Sequence, residues 1–247
     1  MEKTFAIILA AGKGTRMHTD LPKCACPFCG KAMVEYIVDE CRKSEIADVI
    51  VVVGYKKEGI IDVLKDRVKY ANQEEQLGTG HAVLCCEELL KDQSGLCLIF
   101  PGDMPLIDEK IIRGLIETHK KEKNDLTVVT TIMDDPTGYG RIYRENGYIK
   151  KIVEHKDATE EQKQIREINS ALYCVDLKML FEALHHIKNH NASKEYYLTD
   201  IVEIFGNEHK KVDSYLVENH DKLVGINDLE ALRKAEELYF KVSGSNQ

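Results

Sequence analysis

An apolar run that ends in a glycine loop constrains this chain more than any other feature. Phe5, Ile7, Ile8 and Leu9 read as a buried strand, and Ala10, Ala11, Gly12, Lys13, Gly14, Thr15 and Arg16 follow without a spacer. In an open α/β sheet, a strand that runs into such a turn carries main-chain N–H groups to an anion at the sheet's C-terminal edge. Glycine allows the close approach that this needs. Lys13, Arg16 and Lys23 add positive charge within the fifteen positions Leu9–Lys23, where a phosphate would rest. The segment reads as a triphosphate cradle. It is not a Walker A loop, which places four residues before Gly-Lys-Ser/Thr. Nor is it the dinucleotide turn, because Met17 stands where that motif has its third glycine.

The rest of the first half repeats the same grammar. Asp48–Val53 and Leu96–Phe100 are short apolar runs that predict buried strands, and Lys69–Ala71 a third short one. Met33, Val34, Ile37, Val38 and Cys41 recur at helical spacing, and His81–Leu90 is a further helix candidate. Asp108 is placed to cap a helix that carries Ile112, Leu115, Ile116 and His119 on one face. Leu126–Ile132 is strand-like. This alternation predicts a Rossmann-like, mostly parallel mixed sheet with helices on both faces. After Asp134 the pattern changes. Arg141–Tyr143 and Tyr148–Val153 flank Glu145-Asn146-Gly147, a hairpin signal, and Ile168–Val175 follows as a strand. Residues from about Asp134 to Val175 read as a small antiparallel insertion that forms the wall for a second substrate. Asp176 opens a helix, Thr199–Phe205 and Asp228–Phe240 are two more, and Ser243–Gln247 reads as a frayed tail. The 247 residues form one domain in this reading.

Composition excludes several partners. The net charge is -8, with no basic stripe, which argues against nucleic acid and against a membrane surface. The first apolar run is too short to span a bilayer, and no signal-peptide pattern accompanies it. A cytoplasmic location is expected. Among eight cysteines, Cys24, Cys26 and Cys29 cluster as C-x-C-x-x-C. A zinc site usually takes four ligands, and no second Cys/His pair at zinc spacing is evident. The thiols read as reduced and used as small hydrophobes. Asp103 follows an apolar strand and the Gly102 turn, so its carboxylate falls at the ligand edge of the sheet. Alone, it reads equally as a turn residue, Asn227 as a helix N-cap, and Gln73 and Gln76 as an exposed polar turn.

The longer motifs settle the class that the chain resembles. LAAGKGTRM, DLPK, CGKAM, QEEQLGTGHA, GDMPL, DDPTGYGRI, IVEHKDATEEQ, EINSALY, EYYLTDI and VGIND occur in order along nearly the whole chain. The chain resembles the sugar-1-phosphate nucleotidyltransferases, and within them the uridyltransferase domains that act on N-acetylglucosamine 1-phosphate. The resemblance implies that Leu9, Ala11, Gly12 and Gly14 contact the nucleotide. Gln73, Gln76, Gly78 and Thr79 would form the uracil pocket, and amide and main-chain groups can complement the uracil edge. Arg16 matches a triphosphate-binding arginine and Lys23 a lysine at the reacting phosphates. Asp103 and Asn227 match the two protein ligands of magnesium, a hard cation that takes oxygen donors and keeps water and phosphate in its shell. Gly140, Glu154 and Asn169 match residues that hold the sugar phosphate, with Tyr197 and Thr199 in the same pocket.

The implied substrates are UTP and the sugar 1-phosphate, and the implied products are UDP-N-acetylglucosamine and pyrophosphate. An ionised sugar phosphate attacks the α-phosphorus in line, without a side-chain nucleophile. Two alternatives stay open at this point: the same chemistry on another sugar phosphate or NTP, and a non-catalytic nucleotide-sugar sensor or regulatory subunit. Ala171 stands in EINSALY where the family usually has glycine, and Ala32 stands where Gly-Lys-Pro is usual. No hexapeptide repeat of the bifunctional members follows within these residues, so no acetyl transfer is expected of them.

Overall fold

A computed structural model describes residues 3–244. Met1 and Glu2 lie outside the described residues, as do residues 245–247 of the expected tail. Residues 243 and 244 of that tail close the last helix instead.

The first half of the chain is built from β1 (Thr4–Leu9), the two-residue strands β2 (Pro27–Phe28) and β3 (Lys31–Ala32), α1 (Met33–Lys43), β4 (Asp48–Val53), α2 (Glu58–Leu64), β5 (Lys69–Asn72), α3 (Thr79–Leu84), α4 (Glu87–Leu90), β6 (Leu96–Pro101) and α5 (Glu109–Glu122). The second half holds β7 (Leu126–Ile132), β8 (Arg141–Glu145), β9 (Tyr148–Val153), α6 (Glu160–Lys163), β10 (Glu167–Asp176), α7 (Leu177–Leu184), α8 (Asp200–Asn207), β11 (Val212–Leu216) and α9 (Leu229–Gly244). The main sheet has nine strands, with β11, β7, β10, β6, β1, β4 and β5 in order and the β8–β9 hairpin attached through β10. All neighbouring pairs along that order are parallel except those made by β10, which runs antiparallel to both β6 and β7. The expected antiparallel region thus has two parts. The hairpin hangs on the sheet, whereas β10 crosses its middle.

Strand alternation divides the core. Phe5 and Ile7 of β1 pack on one face with Ile50 and Val52 of β4, Cys97 and Ile99 of β6, and the apolar sides of α3, α7 and α8. Ala6 and Ile8 pack on the other with Val51, Leu98, Phe100, and the apolar sides of α1, α2 and α5. Successive residues of a strand face opposite ways, so a continuous apolar run such as Phe5-Ala6-Ile7-Ile8 is what a strand covered on both faces requires. A third cluster seats α9 against α1, with Phe28, Tyr36 and Tyr239 in mutual edge-to-face contact at 5.2–5.7 Å.

Local signals act as the sequence predicts. The Asp108 carboxylate accepts from Ile111 N at 3.1 Å and starts α5, and Asp176 accepts from Lys178 N and Met179 N to start α7. Asn146 and Gly147 join β8 to β9 with φ of 52° and 86°, the paired left-handed residues of a two-residue hairpin turn. The expected helix His81–Leu90 is instead two short helices that break at Cys85-Cys86. Helix α2 and edge strand β11 carry weak sequence signals and emerge only in the fold. Among the described residues, no helix is long and apolar enough to cross a membrane.

Candidate active site

Four parallel strands, β1, β4, β5 and β6, end at one edge of the sheet. The chain leaves β1 for β4 on one side and returns to β6 on the other. At such a reversal the loops part and leave a crevice. Leu9, Ala11, Gly12, Lys23, Gln73, Gln76, Gly78, Thr79 and Asp103 line one cavity there, of about 330 Å³. The structure therefore brings nine of the expected residues, drawn from three loops, to one cleft. A larger cavity, about 710 Å³, opens between α9 and Asp135–Thr137. It holds none of the expected residues, and its acidic rim of Asp221, Asp228, Glu230 and Glu237 is unsuited to a triphosphate.

The glycine loop is shaped around Lys23. Gly14 has φ of 61°, and a side chain there would overlap Lys23 Cβ, so glycine is required both by conformation and by space. Arg16 lies on the short turn Thr15–Met17, is exposed, and has no hydrogen-bond or ion-pair partner among the described residues. Lys23 donates to Asp103 Oδ2 in an ion pair and to Asn227 Oδ1 at 3.0 Å. Its side chain is 17% exposed and that of Asp103 13%. Asp103 and Asn227, 124 residues apart in the chain, therefore meet on one cation. The backbone fixes this meeting: Ile226 N donates to Asp103 O at 2.9 Å, and Asn227 Nδ2 donates to Gly225 O at 3.2 Å, which leaves Oδ1 facing Lys23.

The Gln73–Thr79 loop is more ordered than an exposed turn. Gln73 is buried, and its Nε2 donates to Gly78 O at 3.0 Å and lies 3.1 Å from His81 Nδ1. Gln76 is exposed, with Nε2 3.3 Å from Gln73 O. Gly78 has φ of 117°, and a Cβ there would lie 2.6 Å from Tyr196 O. The Thr79 hydroxyl accepts from Leu198 N at 3.0 Å, which ties this loop to the Tyr196–Leu198 segment.

A second polar cluster lies beside the cleft. Asn169 N donates to Gly140 O at 2.9 Å. A Cβ at Gly140 would stand 3.4 Å from Glu154 Oε1, and Glu154 Oε1 accepts from the Thr199 hydroxyl at 3.1 Å. Gly140, Glu154, Asn169 and Thr199 are thus gathered. Burial raises the pKa of Glu154 against the lowering by the Thr199 hydroxyl, and Asp157 raises it further. Tyr197 stands close enough to Glu154 and Asp157 that their charges, after burial, raise its pKa. Asp200 is pushed up to about 6 by burial and then by Glu203, Glu154 and Asp157.

Residues beyond the expected set complete the walls. Cys24, Pro101, Ala171 and Glu195 also line the cleft. Burial, with Asp103 adding to it, pushes the Cys24 thiol up to about 12, so it is an inert wall. Cys24 packs in one core cluster and Cys26 in another. Tyr139 links the two regions: burial and the Asp103 carboxylate raise its pKa. Glu195 and Tyr139 lie inside EYYLTDI and TGYG, so the motifs pointed at them even though their chemistry did not.

The parallel-sheet crevice thus brings together a glycine loop, a lysine–aspartate–asparagine cluster and a nearby polar cluster. The chain belongs to the nucleotidyl transferase family, which matches residues 5–228. It is 46% identical over 235 residues to the bifunctional protein GlmU of Acholeplasma laidlawii, covering 95% of this chain and 51% of that protein. To the GlmU of Bacillus licheniformis it is 43% identical over 242 residues, covering 98% of this chain and 53% of the relative. The chain spans about half the length of these curated relatives. A crystal structure of UDP-glucose pyrophosphorylase complexed with UDP-glucose shares the fold, with a TM-score of 0.75 at 20% identity over 98% of this chain and 99% of that one.

Proposed function

We propose that the chain catalyses uridylyl transfer from UTP to N-acetylglucosamine 1-phosphate and releases pyrophosphate. One observation carries this reading: Gly12, the Gln73–Thr79 loop, Lys23 and Asp103 line a single cleft, Asn227 is bonded to that Lys23, and Ala171 on the same lining is bonded to Asn169 of the polar cluster. In this reading the nucleotide base lies against Gln73 and Gln76, the triphosphate along Gly12 and Gly14, and the sugar against Glu154, Asn169 and Tyr197.

The sugar phosphate is already ionised at neutral pH, so it needs no base. Its oxygen forms a bond to the α-phosphorus as the bond to the bridging oxygen breaks, and pyrophosphate leaves with that electron pair. Lys23 offsets charge at the α-phosphate, and Arg16 does so on the leaving side. The work of this chain is to align the two anions and to hold them together against their repulsion.

The oxygens of Asp103 and Asn227 already share one cation, the Lys23 ammonium. A pair of hard oxygen donors of this kind suits magnesium, which asks for few protein ligands. Asp103 and Asn227 would hold such an ion, which would supply charge stabilisation to the phosphates.

Pyrophosphate release across a matrix of NTPs and sugar 1-phosphates, with and without magnesium, tests this reading. UTP with N-acetylglucosamine 1-phosphate is expected to give the highest kcat/KM, with no release under chelation. A different preferred pair would move the proposal to that pair.

A further inference from the structure

Ten non-glycine residues have positive φ among the described residues, and of these only Ala171 lies within a β-strand. The others occupy turns and helix ends. Ala171 has φ of 62°, a conformation in which the methyl crowds the backbone and which glycine adopts freely. The register of β10 against β7 slips between Asn169 and Tyr173, and Ala171 sits at the middle of the slip.

Four hydrogen bonds clamp this bulge. Asn169 N donates to Gly140 O at 2.9 Å, Ala171 N to Asn169 Oδ1 at 2.9 Å, Asn169 Nδ2 to the Tyr173 hydroxyl at 2.8 Å, and Ser170 Oγ to Val129 O at 2.8 Å. Asn169, Ser170 and Tyr173 are all buried. Strained backbone of this kind persists only where its surroundings over-determine it, and it gathers at ligand clamps. Ala171 also lines the nucleotide cleft beside Pro101 and Asp103. Two residues earlier, Asn169 belongs to the polar pocket. The methyl therefore stands on the seam between the two regions, held in place by the hydrogen bonds of Asn169.

From this geometry we infer that Ala171 is a specificity-determining residue. Its methyl narrows the room at the seam beside the anomeric phosphate, so the wild-type chain prefers N-acetylglucosamine 1-phosphate over smaller sugar phosphates by less than an Ala171→Gly variant would. The inference rests on the sugar-nucleotide reading above and refines its acceptor.

The test compares the wild-type chain with Ala171→Gly. For each, kcat/KM is measured at saturating UTP with glucose 1-phosphate and with N-acetylglucosamine 1-phosphate, alongside the melting temperature. In the variant, the kcat/KM ratio is expected to shift about tenfold toward the N-acetylated sugar, the scale of one methyl group in a fitted pocket. The melting temperature is expected to rise by about 3 °C as the strain is relieved. An unchanged ratio, a shift toward glucose 1-phosphate, or a change confined to KM for UTP would overturn the inference. So would a melting temperature that does not rise. If the wild-type chain turns over no sugar phosphate at all, the underlying reading fails and the inference falls with it. Wild-type turnover with an unshifted ratio defeats the inference alone.

Discussion

The two ends of the proposed site are built by opposite means. At the nucleotide end, the loop after β1 leaves Arg16 and Gly12 exposed, and Lys23 meets the two oxygens of Asp103 and Asn227. At the sugar end of that reading the polar groups are already bonded to one another, with Thr199 on the half-buried Glu154 and the buried Asn169 on Tyr173. The first end carries charge that can respond to a triphosphate. The second is a preformed hydrogen-bonding surface, which suits a neutral sugar whose hydroxyls must match fixed partners. Substitutions at the nucleotide end should therefore act on kcat, and those at the sugar end on the KM of one substrate.

The largest effect is expected at Asp103. Asp103→Asn should lower kcat by about a hundredfold to a thousandfold, the scale of one lost electrostatic contact at a reacting centre, with an unchanged circular dichroism spectrum. A rate near wild type at limiting magnesium would remove Asp103 from the chemistry. Lys23→Ala comes next, with kcat down about a hundredfold and KM for UTP changed less. An unaltered kcat would assign Lys23 to structure alone. At the sugar end, Thr199→Val removes a donor from the half-buried Glu154 carboxylate. It should raise KM for the sugar phosphate about tenfold, on the order of one hydrogen bond to a charged group, while KM for UTP stays put. If both KM values rose together, the two ends would not be separable.

The smallest effect concerns pH. Because the folded state raises the Asp200 carboxyl to about 6, the native protein binds a proton that the unfolded chain has already released above about 4. The contribution of Asp200 to stability is thus present in full at low pH, declines as pH climbs through that window, and levels off above about 6. Asp200→Asn should remove the decline and gain about 1 kcal/mol at pH 7, after allowing for solvent screening of a half-exposed group. Equal effects of the substitution on melting temperature at pH 4.5 and pH 7.5 would contradict this.

The contrast between the ends also explains what the sequence could tell. The nucleotide end was legible because its parts are local: β1, Gly12, Gly14 and Arg16 are contiguous, and the requirement for glycine at position 14 follows from the space that Lys23 occupies. The sugar end joins Gly140, Glu154, Asn169 and Thr199, and only motif resemblance named them together. No periodicity announces that β10 crosses the sheet between β6 and β7, because an apolar run looks the same in either direction. Gln73 shows a similar limit. It reads as surface from its polarity, yet it is buried with its amide bonded to Gly78 O. The break between α3 and α4 at Cys85-Cys86 was equally hidden, since neither cysteine is a helix breaker.

The claim that binds these observations is that the two ends form one site, with the nucleotidyl group passing straight across from pyrophosphate to sugar phosphate. The stereochemical course at the α-phosphorus tests it most directly. With UTP carrying a chiral α-phosphorothioate, a single in-line displacement gives a product of inverted configuration at phosphorus. Retention would require a covalent nucleotidyl intermediate on the protein and would contradict direct transfer between the two ends.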